Sequence, residues 1–103
     1  MDTTKQHRLQ AAGWRLGDAN EFLGLTPAEA GLVEMRWQLA AIVRETRARQ
    51  HLTQAGLAQL LGSSQSRVAK LEAGDPAVSL DLMVRALLAL GLDVRGIGER
   101  LAR

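Results

Sequence analysis

Cysteine is absent from this sequence, and so is tyrosine. Without cysteine there can be no disulfide framework and no thiolate metal site. The aromatic residues are Trp14, Phe22 and Trp37, so a core has to be assembled from Leu, Ala, Val and Ile. With so few aromatics, that set suits packed helices better than a sheet. No apolar run approaches the ~20 residues of a membrane span. Lys5 and Arg8 are followed by no apolar stretch, so a secretory signal is not expected and a cytoplasmic protein is. His7 and His51 are isolated in sequence and read as surface histidines rather than metal ligands. There is no glycine-rich phosphate loop and no nucleophile with a nearby base. Gly96-Ile97-Gly98 lacks the preceding strand that a dinucleotide fingerprint requires. No enzyme activity, cofactor or metal is expected.

The chain has 103 residues and is 47% hydrophobic, enough for one folded domain with one core. Net charge is only +2, but its distribution is uneven. Between Arg44 and Glu72, five cations (Arg44, Arg47, Arg49, Arg67, Lys70) face two carboxylates, Glu45 and Glu72. A small basic surface of this kind is what phosphate binding needs, although a solvated face would look the same.

The most informative stretch is Thr53 to Gly74, TQAGLAQLLGSSQSRVAKLEAG. Thr53 is a good N-cap just before the apolar positions Leu57, Leu60 and Leu61. Gly62 supplies a residue free to turn the chain sharply, and Ser63 or Ser64 offers a second N-cap. A second helix starts at Gln65, with Val68 and Leu71 on its inner face; Gly74 and Pro76 stop it. On that helix Gln65, Ser66, Arg67 and Lys70 are polar or basic. Gln, Arg and Lys side chains can hydrogen-bond base edges in a major groove, and Ser can reach base or phosphate. Two short helices joined by a glycine-containing turn have the layout of a DNA-binding helix-turn-helix, although any polar-faced helical hairpin shares the spacing.

These residues resemble the helix-turn-helix of the Xre family, the Cro and phage-repressor type. The resemblance is carried by Arg47, Leu52-Thr53-Gln54, Leu57-Ala58, Leu61-Gly62, Ser64, Val68 and Leu71-Glu72-Ala73-Gly74. It implies an all-α fold: a compact bundle of about five helices with a lambda-repressor-like helix-turn-helix, plus a short N-terminal helical extension. It also implies that Gln65, Ser66 and Lys70 face bases, with Arg67 on base or backbone. Gln54, Ser64, Thr53 and Arg49 would contact phosphate. Arg47 and Glu72 would form a largely buried ion pair tying the domain's first helix to the recognition helix. Gly56 departs from the pattern, at about 1 kcal/mol of helix propensity relative to alanine, and Ser63 stands where an apolar residue is more usual.

Elsewhere, residues 1–25 read as an extension and 26–103 as the DNA-binding domain. Asp18 and Glu21 resemble a capping box, as do Thr26 and Glu29, with Pro27 at the first helical position. The second box opens a long helix from about Pro27 to Gln50, with Leu32, Met35, Leu39, Ile42 and Val43 on its inner face. Asp75 to Val78 is a linker. Ser79 caps a helix from Leu80 to Leu90, apolar on most sides and therefore central to the core or shared with another subunit. Asp93 caps a last helix, Val94 to Ala102.

The expected function is a sequence-specific transcriptional regulator acting on double-stranded DNA as a homodimer on a palindromic operator. A small protein of this kind resembles the HigA-like antitoxins of type II toxin–antitoxin modules, which repress their own operon while masking a toxin protein. Trp14, Phe22 and Trp37 are the candidate anchors for such a partner, although Trp37 could equally lie under the protein's own N-terminus. The alternatives are a stand-alone repressor with no toxin partner, and a helical interaction module without DNA binding.

Overall fold

In the computed structural model, residues 24–103 are described; His7, Asp18, Glu21, Trp14, Phe22 and the rest of the N-terminal segment lie outside them. The described residues form five α-helices and no strand. These are α1 Pro27–Arg49, α2 Gln54–Leu61, α3 Gln65–Glu72, α4 Leu80–Ala89 and α5 Val94–Leu101. The chain divides into two units, 1–35 and 36–103.

Each helix starts where a short polar side chain can satisfy an orphan amide. Thr26 and Glu29 bond reciprocally at the head of α1, the Glu29 amide to Thr26 Oγ1 at 3.1 Å and the Thr26 amide to Glu29 Oε1 at 3.0 Å. Thr53, Ser64, Ser79 and Asp93 accept from the amides of Gly56, Arg67, Leu82 and Gly96. The helix ends share a device as well. After α1 to α4 the chain turns through a left-handed residue, filled by His51, Gly62, Gly74 and Gly91 in turn. At each, the next amide reaches back to a carbonyl five residues earlier, as Ser63 does to Ala58 at 2.9 Å. Gly62 closes the turn between α2 and α3 at φ 64°, ψ 36°, a conformation that a Cβ opposes.

The core of the 36–103 unit is aliphatic. Leu39, Ala40, Ile42 and Val43 of α1 join Leu57 and Ala58 of α2 and Val68 and Leu71 of α3. Val78, then Met83, Ala86, Leu87 and Leu90 from α4 and its C-cap, and Ile97 of α5 complete it. Each fully buried Leu, Met or Val contributes ~1.5–3 kcal/mol through loss of apolar area from water.

Four expectations need correction. Leu32 and Met35 are exposed, as is Leu60 of α2. Periodicity identifies an apolar face but not how far its partner extends. α4 is less uniformly covered than its composition implies: Met83, Ala86 and Leu87 are buried, but Leu88 is 47% exposed. Val78, read as part of a linker, is a core residue at 2% exposure. The helix ends fall one residue short of the expected bounds at Gln50, Leu90 and Ala102.

Candidate nucleic-acid interface

α2, the Gly62–Ser64 turn and α3 form a helical hairpin, and α3 is its exposed member. Val68, Leu71 and Glu72 point inward, whereas Gln65, Ser66, Arg67, Ala69 and Lys70 are exposed. A 3.6-residue period over eight positions yields this division: one apolar edge against α2 and one polar edge to solvent. Ala69, small and apolar, also lies on that outer edge.

What aims this edge is a polar knot at the C-terminal end of α3. The Glu72 carboxylate, 4% exposed, accepts from Arg47 Nε at 2.5 Å, Arg47 Nη2 at 3.0 Å and Gln54 Nε2 at 3.1 Å. Arg47 Nη1 also donates to the Leu52 carbonyl at 2.8 Å. Arg44 donates to the Glu72 main-chain carbonyl, placing a cation at the negative end of the α3 dipole. One carboxylate therefore joins α1, α2 and α3. The bond to Glu72, opposed by burial and assisted by the carboxylate's charge, raises the Arg47 pKa above the ordinary arginine value. The guanidinium of Arg47 therefore stays charged through the neutral range.

The four residues assigned to phosphate have different surroundings. Thr53 and Ser64 use their oxygens as N-cap acceptors, which leaves the hydroxyl hydrogens to donate outward. Gln54 is held inward by Glu72, but its amide carries a second N–H. Arg49 pairs with Glu45 at 3.0 Å in an exposed contact, a kind that contributes little. Trp37 is half-buried beside Gly74, whose missing Cβ would meet its Cδ1 at 3.8 Å.

Sequence reading missed the arginines that hold carbonyls. Arg36 donates to Val78 and Arg44 to Glu72. The available signal was their register, because Arg36, Ala40, Arg44 and Arg47 recur at three- and four-residue steps along α1. The described residues contain no group of His, Cys, Asp or Glu able to hold a metal ion, and none of their helices is long and apolar enough to cross a membrane.

A helix-turn-helix family model matches residues 43–97, just over half of the 103-residue chain. The matched span opens at Val43 in α1, takes in the hairpin and α4, and closes at Ile97 in α5. No curated protein and no solved structure matches the chain.

Proposed function

The chain belongs to the helix-turn-helix family of the Cro and phage-repressor type, and from that premise we propose that it is a repressor reading a palindromic operator as a homodimer. The family match makes it a DNA-binding transcription regulator; the contacts, the dimer and the regulated target are the proposal. One observation carries it: the Glu72 knot bonds α3 to α1 and α2 while the opposite edge of that helix stays open, polar and basic. A preorganised helix can enter a major groove without the loss of entropy that ordering a mobile segment entails.

In this reading Gln65, Ser66, Arg67 and Lys70 face the DNA from α3. Thr53, Gln54 and Ser64 meet the backbone around the N-termini of α2 and α3, where amide groups favour an anion, and Arg49 meets it from the end of α1. A single recognition helix contributes few base contacts, so two related by a two-fold axis are needed, set about one helical turn apart. The proposed dimer surface lies on α4 and α5, where Leu88 and Val94 are 47% and 82% exposed. The division at 25/26 into an extension and a DNA-binding domain belongs to the same proposal.

The regulated target is proposed to be the protein's own operon, with the protein acting as an antitoxin. The support for this is the resemblance to HigA-like antitoxins, with Trp37 and the N-terminal Trp14 and Phe22 as toxin anchors. The test is a gel shift on DNA from upstream of the gene, with and without the neighbouring gene's product. The wild type should bind specifically. Gln65→Ala should lose sequence preference and keep salt-sensitive nonspecific binding. Failure of the wild type to bind any candidate operator would favour the interaction-module reading instead. Binding that the neighbour's product tightens or releases supports the antitoxin role. Indifference to it leaves a stand-alone repressor.

A further inference from the structure

Beside α3, an open cleft of about 210 Å3 separates the helix from the Asp75–Val78 segment. Ser64, Ser66, Arg67 and Lys70 line one side of it, and Ala77 and Val78 the other.

Two features single it out. The first is charge. Arg36 and Arg44 hold main-chain carbonyls, and Arg47 holds Glu72. Arg49, Arg85 and Arg95 pair with carboxylates four residues away. Arg67 and Lys70, both exposed, have no acidic partner among the described residues; Arg100 and Arg103 also lack one, but only Arg67 and Lys70 lie together on one cleft. The neighbouring carboxylate, Asp75, accepts from the Ala77 amide at 2.8 Å and so belongs to its own turn. The second feature is a fixed far wall. The Val78 side chain is in the core, its amide donates to the Asp75 carbonyl at 3.0 Å, and its own carbonyl accepts from Arg36.

A helix with its side chains is about 10–12 Å across and fills a major groove about 12 Å wide. A recess beside such a helix, backed by a rigid loop, meets the sugar–phosphate ridge rather than the base edges on the groove floor. We propose that this cleft is a backbone-phosphate clamp in which Arg67 and Lys70 together hold the DNA strand. Base edges are then left chiefly to Gln65 and Ala69, the exposed α3 residues outside the cleft. Ser64 and Ser66 supply neutral hydroxyl donors to the same phosphate, and Arg36 acts as a positioning residue that keeps the loop wall in place. The division of labour rests on the DNA-reading function proposed above and gives Lys70 a role different from base contact.

The experiment is a salt titration of binding to the upstream DNA by the full chain, as wild type, Arg67→Gln, Lys70→Gln and the double variant. Each is also measured on operators carrying single base-pair changes. Each phosphate contact adds about 0.9 to the slope of log affinity against log salt. Each single variant should therefore lose about 0.9 of slope, and the double about 1.8, with the base-pair preferences unchanged. Between about 50 and about 200 mM salt, each lost contact removes roughly 3.5-fold of the wild type's salt-induced weakening. A variant that keeps the wild-type slope, or that levels the preference at one base pair, overturns the clamp. A wild type that shows no salt-dependent DNA binding overturns the DNA-reading function itself, a result visible before any variant is measured.

Discussion

Truncating Glu72 to alanine is the sharpest test of how the hairpin is held. The carboxylate is 4% exposed and accepts three hydrogen bonds, two of them from Arg47, whose side chain is 19% exposed. Its removal leaves a mostly buried guanidinium with only the Leu52 carbonyl at 2.8 Å for a partner, and strands the inward N–H of Gln54. Breaking a buried pair by deleting one member costs ~3–5 kcal/mol, because the remaining charge is uncompensated. Arg47 keeps some contact with water and one carbonyl, so the low end of that range, about 3 kcal/mol, is expected for Glu72→Ala. Replacing both partners together, Arg47→Met with Glu72→Leu, removes the stranded charge and should cost about 1 kcal/mol or less. The assay is urea unfolding at neutral pH, read as a shift in midpoint at constant m. The double variant should then lie closer to the wild type than Glu72→Ala does. The pH dependence can be stated too. Arg47 is a base whose pKa is raised in the folded state. Its contribution is fully present below the ordinary arginine pKa and is lost only as pH rises through the higher folded value. From this group, stability should be flat across the neutral range. A loss under about 1 kcal/mol for Glu72→Ala would mean that the knot is in effect solvated, and the argument that it aims α3 would fail.

Three further outcomes follow from single positions. Thr46 is 4% exposed and its Oγ1 has no hydrogen-bond partner, so Thr46→Val should raise stability by about 1–2 kcal/mol in the same assay; a loss would show that the hydroxyl is satisfied. His51 sits at φ 57° in the position that glycine fills after α2, α3 and α4. His51→Gly should therefore raise stability, by about 1 kcal/mol of relieved backbone strain less the added chain entropy, read as a higher melting temperature, and a lower melting temperature would refute the strain. The Glu29 carboxyl is held below the ordinary glutamate value, first by the Thr26 amide and then by the Thr26 hydroxyl. The cap's contribution is thus present above the ordinary value and lost as pH falls through the lowered one. An NMR titration of the Thr26 amide should show its inflection below the ordinary glutamate range, and an inflection at or above that range would contradict the bond.

The helix starts were legible because their signal is local. A hydroxyl or carboxylate two or three residues ahead of an amide satisfies it whatever the rest of the chain does, so Thr26, Thr53, Ser79 and Asp93 could be read directly. Gly62 was legible for the same reason, since its role follows from its own backbone. Burial was harder. Leu57 and Leu60 look alike on paper, yet one is fully buried and the other is 57% exposed, because only the packing of neighbouring helices separates positions three apart. Val78 was missed because no helical or strand period surrounds it. Its burial comes from the loop folding back onto the core, held by a guanidinium 42 residues earlier in the chain.

The same distinction runs through the candidate site. Which side chains of α3 face outward follows from a 3.6-residue period, and eight residues suffice to display it. What each outward side chain meets depends on the element beside it, and that element is the Asp75–Val78 loop, whose position is set by Arg36 and by Val78 in the core. From the sequence, Gln65 and Lys70 are both expected on bases, with Arg67 on base or backbone, and nothing local separates Lys70 from Gln65. In the folded chain Arg67 and Lys70 share a walled cleft and Gln65 does not. Under the proposed clamp this asymmetry separates the roles: the cations facing the fixed wall are assigned to the backbone and the neutral amide on the open helix edge to the bases. The salt slope and the base-pair preference are independent observables, so the assignment can fail for Lys70 and still hold for Gln65.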